Sequence, residues 1–366
     1  MDSRDSCICS VSQAPLRSSV NPLPPRLPSR HAGTMTQIVR VDPSGEGIRR
    51  KGAGKGFFYT AADGTRITST SVLERIRSLV IPPAWREVWI SPDEWGHIQA
   101  TGVDAAGRRQ YIYHADWTLE RRAEKFERAL SLAWTLPTSR RRVTLDLRAR
   151  RHGPEKALAA ALRLIDIAGL RIGSREYARE NGTYGLTTLE VRHARVLGSQ
   201  LRLHFIGKGG KQWDLSVDDP DLARALSPML KRVDEAALLA YPAEPAARGS
   251  ADWQRLSATA VNDYVRDVAG DDFSAKDLRT WRATVVAAQD LPWAEAHDSS
   301  PTVRQAQLRE SVKATAAFLA DTPAVARDSY IDPRLITAFL DDPPQEPPRT
   351  ETDVRALLGG IPFEQS

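Results

Sequence analysis

Cysteine is almost absent. Cys7 and Cys9 are the only two in 366 residues, and both lie in the first ten. They allow no disulfide framework and no cysteine-based zinc site, which suits a reducing compartment. Long apolar runs are missing too. No uncharged stretch approaches the ~18 residues of a membrane span. The N-terminus lacks a charged segment followed by an apolar core, so no signal peptide is expected. Nucleotide loops are also missing: Gly52-Ala-Gly-Lys-Gly56 fits neither the P-loop spacing nor the dinucleotide fingerprint and reads as a flexible loop. No acidic cluster of metal-binding type accompanies the residues singled out below. These absences exclude a secreted disulfide scaffold and a helical membrane protein, and they place the chain in the cytoplasm with no cofactor expected.

What is present is an ordinary soluble composition, 41% hydrophobic and 27% charged, with length enough for two or three domains. The net charge of +5 and pI near 9.3 permit a polyanionic partner without demanding one. Its distribution says more. Arg121 to Lys156 holds eleven basic and four acidic residues, whereas Ile331 to Ser366 holds three and seven. A solvated helix face would explain the basic stretch as well as a nucleic-acid contact does.

Residues 1–35 are rich in Ser, Pro and Arg and are expected to be disordered, with Met35 a candidate initiator. Residues 36–120 read as a small β-rich domain. Candidate strands are Ile38–Val41, Gly56–Thr60, Thr65–Thr68, Glu87–Ile90, His97–Thr101 and Gln110–His114. Asp63-Gly64 supplies a hairpin turn between the second and third. Ser71–Ser78 is a short amphipathic helix ended by Pro82-Pro83. Residues 121–342 turn mostly helical. Leu119–Trp134 forms one helix, Arg140-Arg-Arg142 a basic connector, and Glu155–Ala168 a helix stopped by Gly169. A small antiparallel sheet follows, with strands at Thr188–Leu197, Gln200–Phe205 and Gln212–Val217, then helices from Pro220 to about Leu340. Residues 343–366 look like a flexible acidic, Pro-rich tail carrying a short helix near Asp353–Leu358. The fold class is therefore α+β.

Four side chains have complementary chemistry. Arg171 and Arg279 could clamp a phosphate from two sides, because a guanidinium fork donates paired hydrogen bonds and keeps its charge. Lys208, in the turn Gly207-Lys-Gly-Gly210, could protonate a leaving 5′-oxygen. Burial beside two arginines would lower its pKa towards a useful acid. Tyr330 could hold the broken strand through a phosphotyrosine. Singly each has a bland reading: surface ion pair, hairpin turn, packed ring.

Together, and in their local sequences, they resemble the type IB DNA topoisomerases, in particular the compact bacterial and poxvirus-like group. The motifs are Gly169-Leu-Arg-Ile-Gly173 with Glu180–Leu189, Phe205-Ile-Gly-Lys208, Ser274-Ala-Lys-Asp-Leu-Arg-Thr-Trp281, and Thr322-Pro-Ala-Val325 with Ser329-Tyr-Ile331. In the N-terminal domain they are Ile81–Trp89, His97–Gly102 and Gly107–Tyr113. The resemblance runs from about residue 38 to 342. It implies that Tyr330 is the nucleophile, that Arg171 and Arg279 stabilise the phosphate, and that Lys208 rather than Lys211 is the general acid. It further implies that Gln110, Tyr111, Tyr113, Tyr177 and Lys276 meet DNA. The two tyrosines of the strand share one face by alternation, so both could equally be core.

One position departs from the family pattern. Nine residues before Tyr330, where the family has a His or Asn donor, stands Asp321. An ionised carboxylate cannot donate to a phosphate oxygen and repels it. Either Asp321 is protonated, or it binds an arginine, or activity is reduced; Thr322 could supply a donor instead. The resemblance implies relaxation of supercoiled DNA without ATP or metal, by a monomer clamped around duplex DNA at the nucleoid. Two alternatives share these residues. One is a tyrosine recombinase, though recombinases carry a histidine where Lys276 stands and a helical N-terminal domain. The other is a DNA-binding homologue weakened in catalysis.

Overall fold

The computed structural model describes residues 38–54, 56–243 and 252–363. The N-terminal extension with Cys7, Cys9 and Met35 lies outside the described residues. The chain is α+β and divides into two compact units, the change falling between Glu124 and Lys125.

The smaller unit is built on a five-stranded antiparallel sheet. Its strands are β1 (Ile48–Ala53), β2 (Gly56–Thr60), β3 (Arg86–Ile90), β4 (Ile98–Val103) and β5 (Arg109–Tyr113), in the order β2-β1-β3-β4-β5. Helix α1 (Thr70–Ser78) packs Ile76 onto one face, against Ile48, Val88, Ile90 and Ala100. The hairpin differs from expectation. β2 pairs with β1, in the register Ala53↔Gly56 to Arg49↔Thr60, so Gly52 belongs to a strand rather than a flexible loop. Asp63-Gly64 does make a turn, but the return is a single bridge, Thr60↔Arg66. Ile38–Val41 likewise shrinks to one bridge, Val39↔Gly96.

The chain passes to the larger unit within α2 (Ala115–Arg148), one helix of 34 residues. The connector expected at Arg140–Arg142 is helical. Pro137 inside α2 cannot donate to the carbonyl of Ala133, and that oxygen takes the Arg355 guanidinium instead, at 3.1 Å. A distant side chain thus replaces the missing backbone bond.

Helix α3 (Pro154–Ala168) is buried almost all round, the pattern of a central helix. It packs on the later helices α5 (Pro220–Leu226), α6 (Ala258–Ala269) and α7 (Ala275–Asp290). Between α3 and α5 come α4 (Arg175–Asn181) and a three-stranded antiparallel sheet of β6 (Ala194–Leu197), β7 (Gln200–Gly207) and β8 (Lys211–Asp218). The expected strand from Thr188 is shorter, because Leu186–Thr188 and Val191–His193 are tight helical turns. A two-stranded ladder, β9 (Ala240–Pro242) with β10 (Trp253–Arg255), interrupts the expected helical run. Then follow α8 (Trp293–Ala296), α9 (Pro301–Leu319), α10 (Pro323–Ser329), α11 (Pro333–Leu340) and α12 (Glu351–Gly360). The tail is not loose through residue 363. Val354 and Leu358 of α12 are fully buried in the core of the larger unit.

Candidate active site

Gly169 stops α3 in the left-handed region at φ 60°, and the chain turns into Arg171. Two further glycines set the path of this segment. The backbones of 171–173 and 185–187 lie side by side, with Leu186 N donating to Arg171 O and Thr187 N to Ile172 O, both at 2.8 Å. A Cβ on Gly185 would stand 2.6 Å from Gly173 Cα and 3.0 Å from Arg171 O. Only glycine permits that approach.

Arg279 emerges from the second turn of α7, whose start is closed by Ser274 and Asp277 capping one another. It is 2% exposed. Its guanidinium donates to Gly169 O at the end of α3, to Leu319 O at the end of α9 (2.8 Å) and to Asp321 Oδ2 (3.0 Å). Two helix C-termini offer it orphan carbonyls and their negative dipole ends. Burial, and then the nearby charge of Arg171, push its pKa down from the usual arginine value. Arg171 Nη2 donates to the same Asp321 oxygen. Asp321 follows Ala320, the left-handed cap of α9 at φ 47°.

Tyr330 ends α10, with its ring 4.8 Å from the Arg279 guanidinium carbon. Its carbonyl accepts from the hydroxyl of Thr284 at 3.1 Å, and the same hydroxyl accepts from Asp332 N at 3.1 Å. Lys125 Nζ donates to Ser329 O at 3.0 Å. Lys208 sits on the β7–β8 turn with Gly209 and Gly210 both at positive φ. It is exposed rather than buried beside the arginines.

These segments enclose an open cleft of about 460 Å³, lined by Lys125, Arg171, Lys208, Lys211, Lys276, Asp321, Thr322, Ser329 and Tyr330 among others. Five cations face one carboxylate. A phosphodiester would be attracted there, and the Arg171 guanidinium lines the cleft while Arg279 lies buried behind it, joined to Arg171 through Asp321. Thr322 Oγ1 accepts from Val325 N at 3.3 Å, which leaves its own proton to donate. Asp321 is neither an isolated carboxylate nor a donor: it binds both arginines.

The DNA-contact candidates separate. Lys276 lines the cleft. Tyr177 lies in α4, but its side chain falls outside the described residues. Tyr111 and Tyr113 belong to the smaller unit, 44% and 45% exposed, stacked with centroids 5.9 Å apart. They are not core. Gln110 points the other way along β5, and its amide donates to Asp104 Oδ2 at 2.9 Å, so it does not share their face.

Comparison with known proteins places the family. The family model described as the catalytic core of eukaryotic DNA topoisomerase I matches residues 114–334. That of the N-terminal domain of bacterial DNA topoisomerase IB matches residues 56–104. This chain belongs to the type IB DNA topoisomerases. It falls with their bacterial and poxvirus-like group. DNA topoisomerase 1B of Acanthamoeba polyphaga mimivirus is 28% identical over 81% of this chain and 89% of its own length. DNA topoisomerase 1B of vaccinia virus is 21% identical over 73% and 82%. The XerH site-specific recombinase bound to its difH substrate is a remote likeness at 15% identity and a TM-score of 0.30, over 64% of this chain and 58% of that one.

Several parts of this candidate site gave no signal in the sequence. Thr284 reads as an ordinary helix residue. Lys125 reads as one charge among many on an amphipathic helix. The pairing of Gly173 with Gly185 was open to inference only as two glycines beside matched motifs.

Proposed function

We propose that the larger unit's cleft is where this type IB topoisomerase cuts and reseals one strand of duplex DNA, with the work divided among the residues that meet there. Tyr330 gives up its hydroxyl proton to solvent and attacks the phosphorus, the bond to the 5′-oxygen breaks, and the tyrosine becomes joined to the 3′ end. Arg171 and Arg279 hold the non-bridging oxygens as their charge grows. Lys208, on its exposed glycine turn, reaches the leaving 5′-oxygen and gives it a proton; DNA entering the cleft supplies the burial that the free protein lacks. Reversal takes that proton back, the 5′-hydroxyl displaces Tyr330, and the strand is whole. Between the two steps the free end turns, driven by the supercoil, so no nucleotide is consumed. Asp321 bridges the two guanidiniums until a phosphate takes the place of its carboxylate.

The observation that carries this reading is the convergence of Arg171, Lys208 and Tyr330 on one cleft, with Arg279 against the Tyr330 ring. Lys211 and Lys276 would track flanking phosphates. Tyr111 and Tyr113 would supply an exposed aromatic contact from the smaller unit, the proposed N-terminal DNA-binding domain. We further infer a monomer acting on DNA in the cytoplasm, at the nucleoid. No helix among the described residues is long and apolar enough to cross a membrane.

The deciding experiment is relaxation of a supercoiled plasmid with EDTA and without ATP, run beside Tyr330→Phe. Relaxation by the native chain, loss in the variant, and a covalent adduct on the 3′ end of the nick are expected. Relaxation by Tyr330→Phe would overturn the assignment. Dependence on dedicated paired sites would point to recombination, and binding without nicking to a weakened homologue.

A further inference from the structure

The last helix, α12, is fastened at one end to α7, which carries Arg279, and at the other to α11, which begins three residues after Tyr330. At its start, Glu351 accepts the indole N–H of Trp281, which is 2% exposed and lies two residues beyond Arg279 on α7. Glu351 also takes two donors from Arg140, at 2.6 and 3.1 Å. Arg140 is at the same time forked onto Asp166 of α3, at 2.6 and 2.7 Å. At the other end, the carbonyls of Leu358 and Ile361 lie 3.4 Å from Arg334 Nη1. Arg334 is four residues past Tyr330, 5% exposed, and held by Asp332 (2.8 Å) and by Glu127 of α2 (2.6 Å). Phe363 stacks on Phe126 and lies under the Arg334 guanidinium. Midway, Arg355 fills the backbone vacancy that Pro137 leaves in α2.

A helix that only covered a core would need its apolar face, here Val354 and Leu358, and little else. Partly buried ionic links are costly to assemble and add directional restraint that apolar packing lacks. We propose that α12 is a strap that holds α7 and the 330–334 segment in register, with Glu351 and Trp281 as positioning residues for Arg279. The inference rests on the reading of Tyr330 as nucleophile and Arg279 as a phosphate ligand. Thr284 already ties the Tyr330 carbonyl to α7. A small slide of α7 would therefore move both reacting partners, and misplacement of about 1 Å can cost as much as 10²-fold in rate.

The test uses the full chain, comparing Glu351→Ala, Trp281→Phe, their double variant and Glu351→Gln. Single-turnover cleavage of a duplex that traps the covalent adduct is measured at saturating protein, well below each melting midpoint, together with DNA affinity. Each single change is expected to slow cleavage about tenfold, with affinity within twofold of the native chain. The double variant should be no slower than the slower single one, because both break one link. Glu351→Gln, which keeps an acceptor for Trp281, should recover most of the rate. Native cleavage rates with only a lowered melting midpoint would reduce α12 to a cover and overturn the proposal. Multiplying losses, or a loss confined to affinity, would do the same. If Glu351→Ala does not fold, Trp281→Phe and Glu351→Gln still decide it. Tyr330→Phe is run alongside: an adduct in that variant refutes the nucleophile itself, whatever α12 does.

Discussion

Asp321 Oδ2 lies 3.0 Å from Arg279 Nη2 and also accepts from Arg171 Nη2, so one carboxylate oxygen bridges both guanidiniums. Such an oxygen stands where a phosphate oxygen would be welcome. It screens two like charges in the free protein, and on the proposed reading it would compete with the phosphate. Arg279 keeps Gly169 O and Leu319 O whatever happens to Asp321, so its place does not depend on the carboxylate.

Asp321→Asn should therefore separate stability from activity. The amide can still accept from one arginine and can donate to a phosphate oxygen. Cleavage at neutral pH should rise severalfold in a single-turnover assay. Stability should fall by about 1–3 kcal/mol in a denaturant titration, since two arginines lose their counter-charge. Slower cleavage in this variant would mean that the carboxylate is required to aim Arg171.

Thr284→Val keeps the shape of the side chain and removes the hydroxyl. The Tyr330 carbonyl loses a donor and Asp332 N loses its acceptor. Leaving such groups unmet costs about 1–3 kcal/mol. Covalent adduct formation should slow by about an order of magnitude while DNA affinity holds, and Thr284→Ser should restore it. An adduct rate unchanged in the valine variant would remove Thr284 from the positioning of the nucleophile.

The legible parts of the molecule were those whose cause is local. Arg171, Lys208, Arg279 and Tyr330 stand in short stretches with turn or cap chemistry of their own; the first, second and last line one cleft, and Arg279 lies against the Tyr330 ring. Gly169 stops its helix because it alone takes φ 60° there without strain. What escaped was non-local. β1 reads Ile48-Arg-Arg-Lys-Gly-Ala53, with no alternation to betray a strand. α2 reads as a helix ended at Trp134 and a basic connector at Arg140–Arg142, whereas the one long helix carries Pro137 inside it and is rescued by Arg355. The acidic tail reads as loose because Glu351 shows a charge but not its partners, Arg140 and Trp281. Asp321 could be flagged as the wrong residue for a donor, yet the double arginine contact exists only in three dimensions.

Gly185→Ala tests how tightly the Arg171 segment is set. The added methyl would meet Gly173 Cα at 2.6 Å and Arg171 O at 3.0 Å, and these are backbone atoms that no rotamer change relieves. Overpacking of this kind costs about 1–3 kcal/mol. Relaxation should drop sharply, while Gly182→Ala, where nothing crowds the new methyl, should lose stability from its positive φ and retain more activity. Equal activities in the two variants would mean that the 173–185 approach does not position Arg171.

Asp104 gives the smaller unit a pH dependence. Its pKa falls from 3.8 to about 2, chiefly through the Arg108 backbone N–H, with the Arg108 and Gln110 side chains adding to it. A carboxylate with a depressed folded pKa contributes stability above its unfolded value, and that contribution is lost as pH falls through the folded one. The window is therefore from about 4 down to about 2. Asp104→Asn should flatten that part of an acid-unfolding curve followed by Trp fluorescence, and leave the curve above pH 5 parallel to the native one.

Tyr111 and Tyr113 present two stacked rings to solvent on a strand whose other face is packed. Exposed aromatics of this kind give little stability, so their truncation isolates any role in binding. Tyr111→Ala with Tyr113→Ala should leave the melting midpoint within about 2 °C, as for surface changes generally, and weaken duplex binding at least tenfold. The slope of log affinity against log salt should stay the same, because no phosphate contact is removed. Lys211→Ala and Lys276→Ala should do the reverse and lower that slope by about one each. If the tyrosine pair changed the slope and the lysines did not, the division between an aromatic contact on the sheet and a phosphate track at the cleft would be wrong.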